Sequence, residues 1–98
     1  MAKYKITVVK RIVNQDLVNE YGQGVVVPCD RFTDGQEFVL ESGDKPEGFC
    51  SWAWADIHRD LMIVRYGGNI PWVKQPGTHV VCCTDGLRPV VFKVERLD

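Results

Sequence analysis

Residues 51–68 read SWAWADIHRDLMIVRYGG. Trp54, Ile57, Leu61 and Val64 recur there at alternating three- and four-residue spacing, which puts them on one side of an α-helix. Ser51 supplies an N-cap and Gly67-Gly68 a stop, so the spacing predicts one long helix over 52–66. Asp56, Arg59 and Asp60 fall on the opposite side and read as a solvated face.

Working outward, both flanks change from helical to strand periodicity. Upstream, 42–48 (SGDKPEG) is a loop by composition, and 36–41 reads as a strand with Phe38 and Leu40 facing inward. Asp34-Gly35 marks the turn before it. Farther back, 25–27 is a short extended piece ending at Pro28, followed by a loop through Cys29. Asn14-Gln15-Asp16 offers a cap for one or two helical turns over 16–21, ended by Gly22 and Gly24. Residues 3–13 form a strand with Tyr4, Ile6 and Val8 on one face. Downstream, 69–77 is a proline-containing crossover that carries Trp72. A strand over 78–83, a turn at Thr84-Asp85-Gly86 and a last strand over 88–97 complete the chain, with Val90, Phe92 and Val94 on one face. The sum is an α+β fold of about four mainly antiparallel strands with one dominant helix packed on the sheet. A sheet curled into a small barrel is the alternative.

With 98 residues, 45% of them hydrophobic, the chain has the size and apolar content of a single domain, 1–98. Its 12 basic and 13 acidic residues nearly cancel. A nucleic-acid binder needs a basic excess or stripe to neutralise phosphates, so nucleic acid is not an expected partner. The closest approach to a stripe, Lys3, Lys5, Lys10 and Arg11, reads as an exposed strand face whose lysines discourage edge pairing. The N-terminal residues MAKYKITVVK alternate charge with apolar groups instead of forming a signal-type apolar run, and no segment has membrane-span length. The expectation is a cytoplasmic protein without a membrane partner.

Four cysteines carry what chemical signal there is: Cys29, Cys50, Cys82 and Cys83. In a reducing compartment scattered thiols point to metal binding, redox chemistry or burial. Cys50 precedes the helix start, where the helix dipole favours a thiolate, although a small apolar residue packed beside Phe49 and Trp52 explains it equally. Cys29 follows Pro28 in a loop, where a side chain is easily presented and as easily buried. Adjacent strand residues point to opposite faces, so only one of Cys82 and Cys83 can join the others. Cys83, nearer the turn, is the choice. Cys29, Cys50 and Cys83 would then form a metal or redox site, holding zinc or an iron–sulfur cluster with His79 or His58 as a fourth ligand. The close Cys-x-x-Cys pairs of structural zinc sites are absent, which weighs toward core packing.

The two histidines have quieter readings as well. His58 borders the apolar stripe of the helix and suits a hydrogen-bonded, half-buried role. His79 shares a strand face with Val81 and Cys83, but no third group orients a Cys–His pair. Asp85 and Arg88 suit a structural bond across the last turn. Trp54 reads as core, whereas Trp52 and Trp72 flank the two ends of the helix and are candidates for a pocket wall or a partner surface.

Three segments together resemble a family of small, stand-alone, uncharacterised prokaryotic proteins, often from anaerobes. They are Cys50-Ser51-Trp52-Ala53-Trp54, the helix end Tyr66-Gly67-Gly68-Asn69, and the run from Cys82-Cys83-Thr84-Asp85-Gly86 through Arg88-Pro89-Val90-Val91-Phe92-Lys93. Cys29 with Gly35-Gln36-Glu37-Phe38 matches a cysteine loop and strand of the same family. Relatives often read Cys-Pro at the first two cysteines, where this chain has Cys29-Asp30 and Cys50-Ser51. The resemblance implies a class without implying an activity.

The expected function is that of a small accessory or binding protein with a cysteine-based metal or redox site. The rival is an interaction module with structural cysteines, meeting a protein partner or a second copy of itself. An independent enzyme with Cys50 as nucleophile ranks below both, because no base can be assigned and so small a domain has little room for a cleft.

Overall fold

A computed structural model describes residues 3–97 of the chain. Its elements are β1 (Tyr4–Arg11), α1 (Gln15–Tyr21), β2 (Glu37–Leu40), α2 (Ser51–Arg65), β3 (Thr78–Cys82) and β4 (Val90–Arg96). The four strands make one antiparallel sheet in the order β2-β1-β4-β3. It stays open; the barrel alternative does not occur, because β2 and β3 remain edges. Among the described residues, no helix is long and apolar enough to cross a membrane.

Period-two alternation accounts for the two faces of this sheet. Tyr4, Ile6 and Val8 of β1 stand opposite Leu40 and Phe38 of β2 on one side, and Arg96, Val94 and Phe92 of β4 on the other. Tyr4, Ile6, Val8, Phe92 and Val94 are fully enclosed. The outer face carries a charge ladder instead. Lys5 Nζ lies 3.4 Å from Glu37 and 3.6 Å from Glu95, and Lys93 lies 3.5 Å from the same Glu95. A bulge between Val8 and Lys10 shifts the register toward the end of β1.

Helix α2 packs on β3 and β4 through Ala53, Ile57, Leu61 and Val64, each buried almost completely. Burying an Ile, Leu or Val side chain contributes about 1.5–3 kcal/mol as an upper estimate, so the three aliphatic residues anchor the helix. Ala53, not Trp54, fills the first position of the inner stripe. Trp54 is half-buried on the shoulder of the helix, edge-on to Phe49 at 5.5 Å and to His58 at 5.6 Å. An indole is too bulky for a position that faces the sheet directly, and the methyl of Ala53 fits there. Cys50 is the N-cap and Ser51 is already helical, with the Ser51 hydroxyl held by Lys45 Nζ at 2.8 Å. At the other end Gly67, at φ +92°, takes the left-handed turn that stops the helix. Arg96 from β4 donates to the terminal carbonyl of Val64 at 2.7 Å, placing a cation at the negative end of the helix dipole.

Beyond α2, the inner face is covered by aromatic rings from the loops. Phe49 meets Phe32 and Phe38 at 5.0 Å and Phe92 at 5.5 Å. Phe32 also stands edge-on to Phe92 at 5.2 Å. These contacts draw the Cys29 loop and the residues leading into α2 onto the same part of the sheet.

A candidate thiol-lined site

Three elements meet at one end of the molecule: the loop carrying Cys29, the N-terminus of α2 and the β3–β4 turn. Each is tied down by side chains from a different segment. The Nη1 of Arg11, on β1, donates to the carbonyls of Cys29 and Phe32, both at 3.1 Å, while its Nε reaches Asp34 at 3.0 Å. Arg88 donates to the carbonyl of Val26 at 2.8 Å and to Asp85 at 3.1 Å. Asn14 donates through Nδ2 to the carbonyl of Gly86, and its amide to the carbonyl of Leu87. A loop without regular structure leaves backbone acceptors unpaired, and the guanidiniums supply the donors.

The turn is joined to α2 through Thr84. Its amide and hydroxyl both donate to Asp56 Oδ2, at 2.8 and 2.9 Å, and its Oγ1 accepts from Trp52 Nε1 at 3.2 Å. Asp56 is thus a structural acceptor and not part of a purely solvated helix face. Asp60, on the same side, faces His79.

Between these elements lies a cavity of about 520 Å³ whose wall includes Cys29, Cys50 and Cys83. Three thiols from separate segments therefore line one space. Cys29 and Cys83 are 9% and 8% exposed and Cys50 is half-buried, so Cys50 is the thiol nearest to solvent. All three are free thiols. Cys83 is fixed by the end of the hairpin: its amide donates to the carbonyl of Val90 at 3.1 Å, and the Val90 amide donates to its Sγ at 3.3 Å. Cys82, one residue earlier, points to the other face and is exposed, as strand alternation demands.

Phe32, Ala53, Val90 and Trp52 supply the apolar wall, and Arg31, Asp85 and Arg88 the charged part. Burial by itself would push the Asp85 carboxyl up. The amide of Leu87 and the side chain and amide of Arg88 outweigh it, so the carboxyl sits below its ordinary value. Arg88 is shifted upward, first by its hydrogen bond to Asp85, with the nearby Cys29 sulfur a lesser contributor.

The other candidates lie elsewhere. His79 does not line this cavity. Its Nδ1 accepts the Val80 amide at 3.0 Å, and its Nε2 stands 3.6 Å from Asp60. Strand rise separates it from Cys83, which lies four positions farther along the extended chain on the same face. Trp72 is 78% exposed and edge-on to His79 at 6.2 Å, whereas Trp52 forms part of the thiol cavity. His58 packs against Trp54. A metal ion needs its donors gathered around one point, and among the described residues no three histidine, cysteine, aspartate or glutamate side chains are so gathered. The thiols share a wall without forming a coordination sphere, so this arrangement does not fit zinc or an iron–sulfur cluster.

Arg11 is expected on an exposed strand face, whereas its side chain is largely buried and clamps the Cys29 loop; Arg31 and Thr84 are further site residues that the sequence does not single out. No local motif marks them, since their roles arise from contacts between distant segments. Searches of the chain against protein families, curated proteins and solved structures find no match.

Proposed function

We propose that this chain is a small binding protein whose working site is the three-thiol cavity. Cys50 is the thiol that meets the ligand, and Cys29 and Cys83 line the interior. One observation carries this reading: three cysteines from three separate segments line the same cavity, while the fourth faces away. Cys29 and Cys83 belong to the hydrophobic core and Cys50 packs against it, and the same three thiols line an opening shared with exposed Trp52, Thr84 and Arg31. The volume lies within the range of small-molecule sites, and the wall combines apolar side chains with a few polar groups, as such sites do. The family that the sequence resembles brings no activity with it, so the cavity alone supports the reading.

The test is sequential labelling. A bulky maleimide should modify Cys50 in the folded protein and then shield Cys29 and Cys83 from a small alkylating reagent, leaving Cys82 unaffected. Resistance of Cys50, or unchanged labelling of Cys29 and Cys83 after its modification, overturns the proposal. Stoichiometric zinc or iron in anaerobically purified protein, lost in a Cys50→Ser variant, would replace it with a metal centre.

A second reading is favoured by Trp72, whose ring is mostly exposed at the edge strand β3 beside exposed Val80. Large aromatic rings left at an edge suit a protein contact. Association that is lost in Trp72→Ala, with thiol reactivity unchanged, would support an interaction module.

A further inference from the structure

We infer that the ligand of this cavity is a small organic anion, bound with its acid group against Arg31 and its body against the apolar wall. The inference rests on the binding reading above and adds the ligand class. Its basis is which charged groups at the site are already bonded. Asp85, the acid in the wall, is bonded to Arg88, and Arg88 is further engaged by the Val26 carbonyl. Arg31 also lines the cavity, yet makes no hydrogen bond or ion pair with any described residue. Its neighbour Asp30 is exposed and outside the wall. Asp30 acts electrostatically on Arg88, so Arg31 is the guanidinium left without a bonded partner among the described residues, a group whose planar fork suits a carboxylate.

Two further features act in the same direction. Cys50, Trp52 and Ala53 bring the first turn of α2 to the cavity, with no side-chain cap and no acidic residue in that turn. Its leading amides have no partner within the helix and carry the positive end of the dipole. The Cys29 thiol is buried in the wall without a hydrogen-bond partner among the described residues. Phe32, Ala53, Val90 and Trp52 then exclude a bare inorganic ion as the best occupant, because they offer a surface that only an organic body covers.

Paired disulfide reagents read this out directly. The Cys50 thiolate attacks one sulfur of the reagent; a Cys50–S–S–aryl bond forms, the reagent's own S–S bond breaks, and its other half leaves as a coloured thiolate. The thiol proton goes to solvent, and the reagent is the oxidant. A nitrobenzoate disulfide carries two carboxylates, and a dipyridyl disulfide carries none. The Cys82→Ser variant removes the exposed thiol on the other face. In that protein Arg31→Gln should slow the carboxylate reagent about three- to five-fold, the scale of one partly exposed ion pair, and leave the neutral reagent unchanged. Added salt should slow the carboxylate reagent alone. Equal effects on both reagents, or none on the carboxylate, overturn the anion assignment while the thiol site stands. Failure of both reagents to modify Cys50 removes the thiol site together with the anion assignment.

Discussion

Replacing Arg11 with glutamine should loosen the Cys29 loop before it affects the rest of the fold. The Arg11 side chain is largely buried and serves the carbonyls of Cys29 and Phe32 through one nitrogen, with Asp34 on another. A hydrogen bond from a charged donor contributes about 1.5–3 kcal/mol net. The Asp34 pair is more than half exposed on the carboxylate side and adds less than about 1 kcal/mol. Taking the low end for each carbonyl, because one nitrogen is shared, gives about 3 kcal/mol for holding the loop. That corresponds to roughly a hundred-fold easier local opening. Amide hydrogen exchange supplies the assay. The amide of Gly35 donates to the carbonyl of Val8 and reports on closure of this loop against β1, and that of Gln36 donates to Thr33 and reports on the turn within the loop. Their protection should fall by about two orders of magnitude in Arg11→Gln, while the Cys83 amide, bonded to Val90 in the hairpin, keeps its own. Arg11→Lys, which retains charge but not the fork, should fall between. A uniform loss across all amides, or less than a three-fold change at Gly35, would refute the assignment of Arg11 as the clamp of the thiol loop.

Other outcomes follow from the packing and the titrating groups. Phe49→Ala should cost about 3–5 kcal/mol in urea unfolding, because a fully buried ring that touches four aromatic neighbours is lost; a cost below about 1 kcal/mol would mean that the cluster is not core. Tyr4 donates to the Ser42 carbonyl at 2.7 Å, so Tyr4→Phe should cost about 1 kcal/mol at neutral pH. Burial raises the Tyr4 phenol above 10.0, opposed by Arg65, so its contribution is present below that pH and lost as pH rises through the folded value. Alkaline unfolding curves of wild type and Tyr4→Phe should therefore converge. Asp85 titrates below 3.8 when folded; its contribution is full above that value and lost as pH falls through the folded one. Acid melts of Asp85→Asn should show a shallower loss of stability there, and parallel curves would contradict it.

Much of the architecture was legible because it rests on short-range signals. The apolar spacing of Ile57, Leu61 and Val64 and the Gly67-Gly68 stop mark α2, and the alternation in β1 and β4 marks their inner faces. The opposition of Cys82 and Cys83 follows from strand geometry alone. Trp54 packs against the core from the shoulder of the helix and not against the sheet; periodicity ranks residues by hydrophobicity and not by the room available, and Ala53 is the side chain that fits there. Asp56 looked like a solvated helix residue because its partner, Thr84, comes from another segment. His79 and Cys83 were grouped by a shared strand face, yet the rise along the strand keeps the imidazole with Asp60 and Trp72.

By itself the amino-acid order determined which stretches become helix or strand and which side of each is apolar, since those properties depend on neighbours a few residues away. Only the folded arrangement decided that Cys29, Cys50 and Cys83 face a common cavity, that Arg31 is left without a partner among the described residues and that His79 stands apart. Those outcomes depend on strand register, on where α2 settles over β3 and β4, and on the arginines that fasten the loops. They are set by packing between distant segments, where no local pattern reaches.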